Sequence, residues 1–304
     1  RPPARSNEGC RGLSELRPAS PARRPSSARP GEDAVPQGAP PSADELEAIQ
    51  RHVVTLPAQE GAVVEDDQGL GVTFVRGPGS GPDVTYAAMP RWGPHEWRDA
   101  LAAVRGRMQS ADVWPSLLVC DRLDQPLGLE AELDRQDWVP ASSEVVMWVG
   151  HASVVPHLDP LMRIEAVQPR SLPIHEDLER TIFDIGADQA EQRRPALTRA
   201  LETGQVRAWI VWLGEEPVAV ARLSQGQSTA GLQGIGVTEP RRGQGYGTLV
   251  TTIATRAGMA VGNRLVWLSV SEDNHAAMKV YSKLGFQPAF SWTRWLATED
   301  PRRR

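Results

Sequence analysis

Apolar positions fall into two successions of short elements separated by a Pro-interrupted stretch. Residues 1–42 carry no apolar period. From Ser42 the pattern becomes globular: a hydroxyl residue stands three positions before Glu45, the spacing of a capping box, and predicts a helix. Strands are predicted at 71–76 and 83–88. A helix follows at 96–108, with Trp97, Leu101 and Val104 at helical spacing. A buried strand at 114–120, a helix at 127–135 and a strand at 142–149 complete the first succession. Residues 151–161 contain Pro156 and Pro160, show no period and read as a linker. The second succession has a strand at 163–167 and helices at 174–185 and 190–202. Strands at 206–213 and 217–223 follow, joined by the turn at Gly214, and then a strand at 231–237. A Gly-rich turn, a helix to about 260, a strand at 264–270, a helix at 274–284 and a strand at 289–296 end it. Strands alternating with helices predict an α/β, layered α+β architecture.

The two successions echo each other. At a shift of 148 residues, Asp137-Trp-Val-Pro-Ala falls on Gly285-Phe-Gln-Pro-Ala, each after a helix and before a strand with Trp. Ser116-Leu-Leu-Val falls near Trp267-Leu-Ser-Val. So long a period implies two copies of one domain, and 304 residues suit two domains of about 150 each. The expected organisation is a disordered Arg/Pro/Ser-rich tail at 1–42, a first domain at 43–150, a linker at 151–161 and a second domain at 162–304. The tail resembles a transit peptide in composition but has no amphipathic helix, and the sequence starts without Met.

Composition narrows the classes. No stretch approaches the roughly 20 apolar residues of a membrane span. A net charge of −5 and a pI near 5.8 argue against a general nucleic-acid binder. Two cysteines, Cys10 and Cys120, make neither a disulfide framework nor a four-ligand zinc site. A cytoplasmic protein is expected. Only two of the 33 basic residues are lysines, Lys279 and Lys283, so lysine-based mechanisms have almost no candidates.

The sharpest chemical signal runs from Val237 to Thr248. A strand ends, a turn with Gly243, Gly245 and Gly247 follows, and a helix starts with Leu249, Val250 and Ile253. The glycines let backbone N–H groups converge, the helix start adds its dipole, and Arg241 and Arg242 add charge. This is a cradle for a pyrophosphate; a glycine-rich turn with surface arginines is the competing reading. It is neither a Walker loop nor the dinucleotide fingerprint, because no Gly-Lys-Ser/Thr ends it and its glycines are spaced Gly-x-Gly-x-Gly.

A second element follows one strand later: Asn274, Ala277, Tyr281 and Leu284-Gly285-Phe286. With Arg242, Gly245 and Gly247 of the cradle, in this order, the sequence resembles the GNAT superfamily of acyl-CoA-dependent N-acyltransferases over about residues 161–300. The resemblance implies two tandem GNAT-like domains, each a mixed, mostly antiparallel sheet flanked by helices, with acetyl-CoA wedged between splayed central parallel strands, here 231–237 and 264–270. It implies that main-chain groups of Ile235, Gly236 and Val237 pair with the pantetheine arm. Amides from Arg242, Gly243, Gln244, Gly245, Tyr246, Gly247 and Thr248 would hold the pyrophosphate. Asn274 would contact the cofactor near its pantetheine arm, and Tyr281 would protonate the departing thiolate. A core aromatic on an amphipathic helix is the other reading of Tyr281. No metal is implied. No base is assigned: Gln233 cannot take a proton, Glu239 lies beyond the strand, and Glu272 and Asp273 serve equally as a capping turn before Asn274.

At the 148-residue shift Tyr281 falls on Leu133 and Asn274 on Pro126. The cradle falls on Pro90–Trp97, with one glycine, two prolines and two tryptophans. The first copy is therefore expected to be degenerate, packing against the second and walling its acceptor site. His95, Trp92 and Trp97 read as core and rim of that copy, and Cys120 as a buried small hydrophobe. The expected activity is direct transfer of acetyl from acetyl-CoA to a primary amine, on a small molecule or a peptide. The alternatives are a non-catalytic acyl-CoA-binding regulator or, within the enzyme class, a tandem acetyltransferase like mycothiol synthase. No nucleic acid or membrane partner is expected, and the internal duplication favours a monomer.

Overall fold

The computed structural model describes residues 39–77, 81, 82, 84–155 and 160–298. The predicted disorder of the tail lies, for residues 1–38, outside the described residues. No helix among the described residues is long and apolar enough to cross a membrane.

The first half runs α1 (Ala43–Thr55), β1 (Val63–Asp67), β2 (Val72–Arg76), β3 (Thr85–Ala88), α2 (Trp97–Ser110), β4 (Ser116–Cys120), α3 (Leu129–Leu133) and β5 (Trp138–Val149). The second runs β6 (Met162–Ala166), α4 (Leu172–Phe183), α5 (Ala187–Glu202), β7 (Val206–Leu213), β8 (Glu216–Gln225), β9 (Thr229–Val237), α6 (Tyr246–Ala260), β10 (Leu265–Ser271), α7 (His275–Lys283) and β11 (Gln287–Ala297). The predicted capping box is present: Ser42 N–H donates to Glu45 at 2.8 Å, and Glu45 N–H donates to Ser42 Oγ at 3.3 Å.

The strands form one sheet in the order β1-β2-β3-β4-β11-β5-β10-β9-β8-β7-β6. The last strand of each half lies in the territory of the other: β11 pairs antiparallel with β4, and β5 pairs antiparallel with β10. Between them β5 and β11 pair antiparallel along almost their whole lengths. Outward from that contact the sheet reads alike in both directions. An antiparallel neighbour is followed by a parallel pair, β4–β3 on one side and β10–β9 on the other, and then by antiparallel strands. The arrangement is that of an isologous dimer with exchanged strands, made within one chain. It lengthens β5 beyond the predicted 142–149, because residues from Trp138 onward find partners on β11.

Alternation along the strands sends side chains to two faces. One face packs under α2 and α3 (Leu101, Leu117, Trp138, Trp295) and, further along, under α6 and α7 (Val250, Leu268, Tyr281). The other packs under α1 (Ile49, Trp148, Trp267, Trp292) and under α4 and α5 (Leu197, Ile210). Strand β1 was not predicted, since Val-Val-Glu-Asp-Asp has no apolar alternation. It forms on the sheet edge, where Arg51 and Arg107 bind its carboxylates and blunt the edge.

Helix α1 reaches across to the second half through His52. The Trp267 indole N–H donates to His52 Nδ1 at 3.2 Å, and Nε2 lies 2.7 Å from Ser224 Oγ. Nδ1 is thus the acceptor and the ring is neutral. Burial pushes its pKa down to about 4. His175 is wholly buried on α4 and also lies near 4, again chiefly through burial, with Arg222 and Arg193 acting in the same direction and Glu179 against it. Both folded-state values lie below the ordinary 6.5, so the stability they represent is complete above pH 6.5 and is lost as pH falls towards 4. Each histidine should contribute a loss of roughly 3 kcal/mol across that window. Denaturant melts at pH 7 and 4.5 should show the fall, and His52→Gln should flatten it; an unchanged slope in that variant would refute the assignment.

Candidate functional site

Strands β9 and β10 pair in parallel only from Thr229–Leu265 to Leu232–Leu268 and then part. Strand β9 continues to Val237 and β10 to Ser271 on either side of the opening. At the same place β9 bulges against β8: Val220 and Arg222 are matched by Gly236 and Gln233, one residue more on β9. Gly234 occupies the bulge at φ 55°, and a Cβ there would lie 2.5 Å from Glu179 Oε1. Past the bulge Gly236 and Val237 stay paired with β8, while the side of Gln233–Val237 that faces β10 has no strand partner and borders the opening. Gly236 lets α4 approach, since a Cβ would meet Ile182 at 2.5 Å and Phe183 at 2.8 Å.

Beyond Val237 the chain makes a short 3-10 turn (Glu239–Arg241) and enters α6 through Gly243 (φ 76°) and Gly245 (φ 89°). A Cβ at either would meet nothing within 4 Å. The glycines are needed for backbone conformation, and the space beside them is open. The first α6 bond runs from Leu249 N–H to Gly245 C=O at 3.0 Å. The amides of Tyr246, Gly247 and Thr248 stay outside the helical ladder at the positive end of the dipole. Gly247 lies beside Val237, so cradle and strand are contiguous. Arg241 is engaged by Glu216. Arg242 is exposed, its Nε donating to the Val237 carbonyl at 3.4 Å, and the Gln244 side chain donates to Pro240 C=O at 3.1 Å.

Asn274 is the N-cap of α7: its Oδ1 accepts from Ala277 N–H at 3.1 Å. Tyr281 lies two turns further on, buried in the core that also holds Tyr246 and Leu249, its ring tilted against Phe286 at 6.0 Å between centroids. Burial raises its phenol pKa to about 12, so the hydroxyl stays protonated throughout the physiological range. The structure thus gathers Ile235, Gly236, Val237 and the turn Arg242–Thr248 at one mouth. Asn274 and Tyr281 lie on the helix that follows the other strand of the opening.

Two carboxylates on the opposite face were not singled out from sequence. Glu179 of α4 is fully buried; Arg193 donates to it at 2.6 Å and Arg222 Nε lies 2.9 Å away. Glu60, partly buried, joins the same two arginines. Leu172, His175, Glu176 and Glu179 are all buried at helical spacing on α4, a polar stripe on the inward face of an amphipathic helix. That spacing was available in the sequence. The second carboxylate is Glu144 of β5, which accepts a hydrogen bond from Ser269 Oγ of β10.

The first half repeats the layout without the mouth. Strands β3 and β4 pair in parallel at Ala87–Leu117 and Ala88–Leu118. The chain beyond β3 then closes on Gln125: Gln125 N–H donates to Pro90 C=O at 2.9 Å, and Trp92 N–H donates to Gln125 C=O at 3.3 Å. Trp92 is buried, its indole donating to Leu70 C=O at 2.7 Å. Helix α2 starts after the turn Gly93–Glu96, closed by Glu96 N–H donating to Gly93 C=O at 3.2 Å, and has no side-chain cap.

Residues 172–286 match the sequence profile described as the acetyltransferase (GNAT) family. An uncharacterised N-acetyltransferase of Bacillus subtilis, YobR, is 35% identical over 74 residues, which are 24% of this chain and 30% of that protein. Among solved structures, a GCN5-related N-acetyltransferase from Kribbella flavida superposes with a TM-score of 0.64 at 18% identity, covering 84% of this chain and 95% of that one. A tandem GNAT protein from the clavulanic acid biosynthesis pathway gives 0.57 at 18% identity, covering 74% of this chain and 77% of that one. Both likenesses concern the fold, and they extend over both halves.

Proposed function

We propose, from the match of residues 172–286 to the GNAT family profile, that the protein transfers the acetyl group of acetyl-CoA directly to a primary amine. The observation that carries this reading is the parting of β9 and β10 onto the glycine turn of α6. Main-chain groups of Ile235, Gly236 and Val237 on the side of β9 that has no β10 partner take up the pantetheine arm. The amides of the turn from Arg242 to Thr248 and the positive end of α6 bind the pyrophosphate, and Arg242 adds charge. Asn274 holds the start of α7 and so fixes the path of the chain beside the pantetheine. A main-chain amide near Ile235 polarises the thioester carbonyl. The amine nitrogen attacks that carbon, and Tyr281, kept protonated by burial, gives its proton to the departing sulfur. The acceptor is a small molecule or a peptide, and the acidic body favours a cationic one.

Calorimetric titration of acetyl-CoA tests the first part. The protein should bind one equivalent, and Gly245→Trp should abolish binding, because an indole at φ 89° projects into the open cradle. Two equivalents per chain would contradict the closure of the β3–β4 mouth. Tyr281→Phe tests the second part. It should bind acetyl-CoA as tightly as the native chain while amine-dependent thiol release falls by about 10²- to 10⁴-fold. Binding without amine-dependent release in the native chain would mark a regulator in place of an enzyme.

A further inference from the structure

We propose that Glu144, on the strand that the first half lends to the sheet, is the general base that takes a proton from the acceptor ammonium, so that the first half completes the transfer site. This rests on the acetyltransferase reading above. Leu232–Leu268 is the last pair of β9 and β10, so Gln233 and Ser269 are the first residues of the opening. Ser269 shares the face of the sheet that carries α1 and α4, opposite Tyr281. The Trp292 indole donates to Ser269 Oγ at 3.1 Å, and the Ser269 hydroxyl in turn donates to the Glu144 carboxylate. Glu144 is thereby held over β10 at the point where the strands part, and it is only partly buried.

Two carboxylates border the opening on this face, and their partners divide them. Glu179, beside Gly234, is held by the two cations Arg193 and Arg222. Glu144 is held by a hydroxyl. The charged group acting on it is Arg294 of β11, whose guanidinium lies over the Tyr86 ring at 4.4 Å and donates to Pro82 C=O at 2.7 Å. From β10, Ser269 faces it, and from β11 its paired residue is Trp292. Burial raises the Glu144 carboxyl above the ordinary range, against the Ser269 bond and Arg294. A carboxylate moved towards neutrality is a stronger base at neutral pH.

The step balances. The ammonium gives one proton to Glu144, and the freed nitrogen lone pair forms the N–C bond at the thioester carbon. The C–S bond breaks with its electron pair on sulfur. The second nitrogen proton reaches the thiol by way of Tyr281, and Glu144 returns its proton to water.

The test uses the full chain, acetyl-CoA and two amines: n-butylamine, which is protonated at pH 7, and hydroxylamine, which is largely neutral there. Glu144→Gln should slow thiol release with n-butylamine by about 10²- to 10⁴-fold at pH 7, with recovery towards pH 10. With hydroxylamine the loss should stay below about tenfold, and acetyl-CoA affinity should be unchanged. Equal losses with both amines, or a pH profile parallel to that of the native chain, would overturn the proposal. If the native chain turns over neither amine, that failure belongs to the acetyltransferase reading. Carbon-13 titration of the carboxyls, with Glu144 assigned through Glu144→Gln, then decides: a value above the ordinary 4.5 supports the base, and one at or below it rejects it.

Discussion

A chain ended at Phe286 should lose the fold of its first half along with its own last strand. Strand β11 lies between β4 and β5 and supplies Phe290, Trp292 and Trp295, all buried, to the cores under α1 and under α2. Each aromatic buries about 150–250 Å², which at about 25 cal/mol per Å² is roughly 4–6 kcal/mol apiece. Three such side chains equal or exceed the ~5–15 kcal/mol by which a domain is stable. Their removal also leaves β4 and the long β5 with unpaired edges. Far-ultraviolet circular dichroism should show no cooperative melt for this truncation, whereas a chain ended at Thr298 should melt like the full one. A truncated chain in which the first half still melted cooperatively would show that the exchanged strand is a peripheral addition.

That strand exchange is also where the sequence falls silent. The repeated segments around Trp138 and Phe286 predict a strand after a helix in each half, and both strands form. Nothing local distinguishes β11 beside β4 from β11 beside β10, because equivalent strands present the same alternation to either neighbour. The glycine turn before α6 was legible for the opposite reason: Gly243 and Gly245 stand where the backbone has positive φ, and the helix that follows starts where the apolar period starts. The Ser42–Glu45 cap was legible on the same local grounds. Strand β1 was not, since its pairing depends on β2 and on arginines from α1 and α2. Glu179 left a signal in its helical spacing with Leu172 and His175, whereas Glu144 was hidden, because a carboxylate on a strand reads as solvated until the neighbour that buries it is known.

Replacing Arg222 by Met should destabilise the fold by about 3–5 kcal/mol. Burial works against the Arg222 charge, but Glu179 and Glu60 more than offset it and hold the pKa above the usual arginine value. In the variant Glu179 keeps Arg193 at 2.6 Å but loses its second cation. Glu60 retains only the longer contact to Arg193, at 3.8 Å. A buried carboxylate short of a partner has a raised pKa, so its ionised form becomes the liability. Against burial, Arg222 and Arg193 hold the Glu60 carboxyl below its ordinary value, so the penalty for losing Arg222 should be largest at neutral pH and should shrink as pH falls. Adding Glu179→Gln to Arg222→Met should recover much of the loss at pH 7, because it removes the carboxylate in excess of the one cation, Arg193, that remains. Double-mutant denaturant melts at pH 7 and pH 5 measure both effects; additive losses with no pH dependence would show that the cluster is not coupled. The same variant reaches the proposed acetyl-CoA site, because Glu179 lies against the Gly234 bulge that precedes Ile235–Val237 at the opening. If the cluster holds that bulge in place, the folded fraction of Arg222→Met should bind acetyl-CoA more weakly than the native chain, and Glu179→Gln should bring back affinity together with stability.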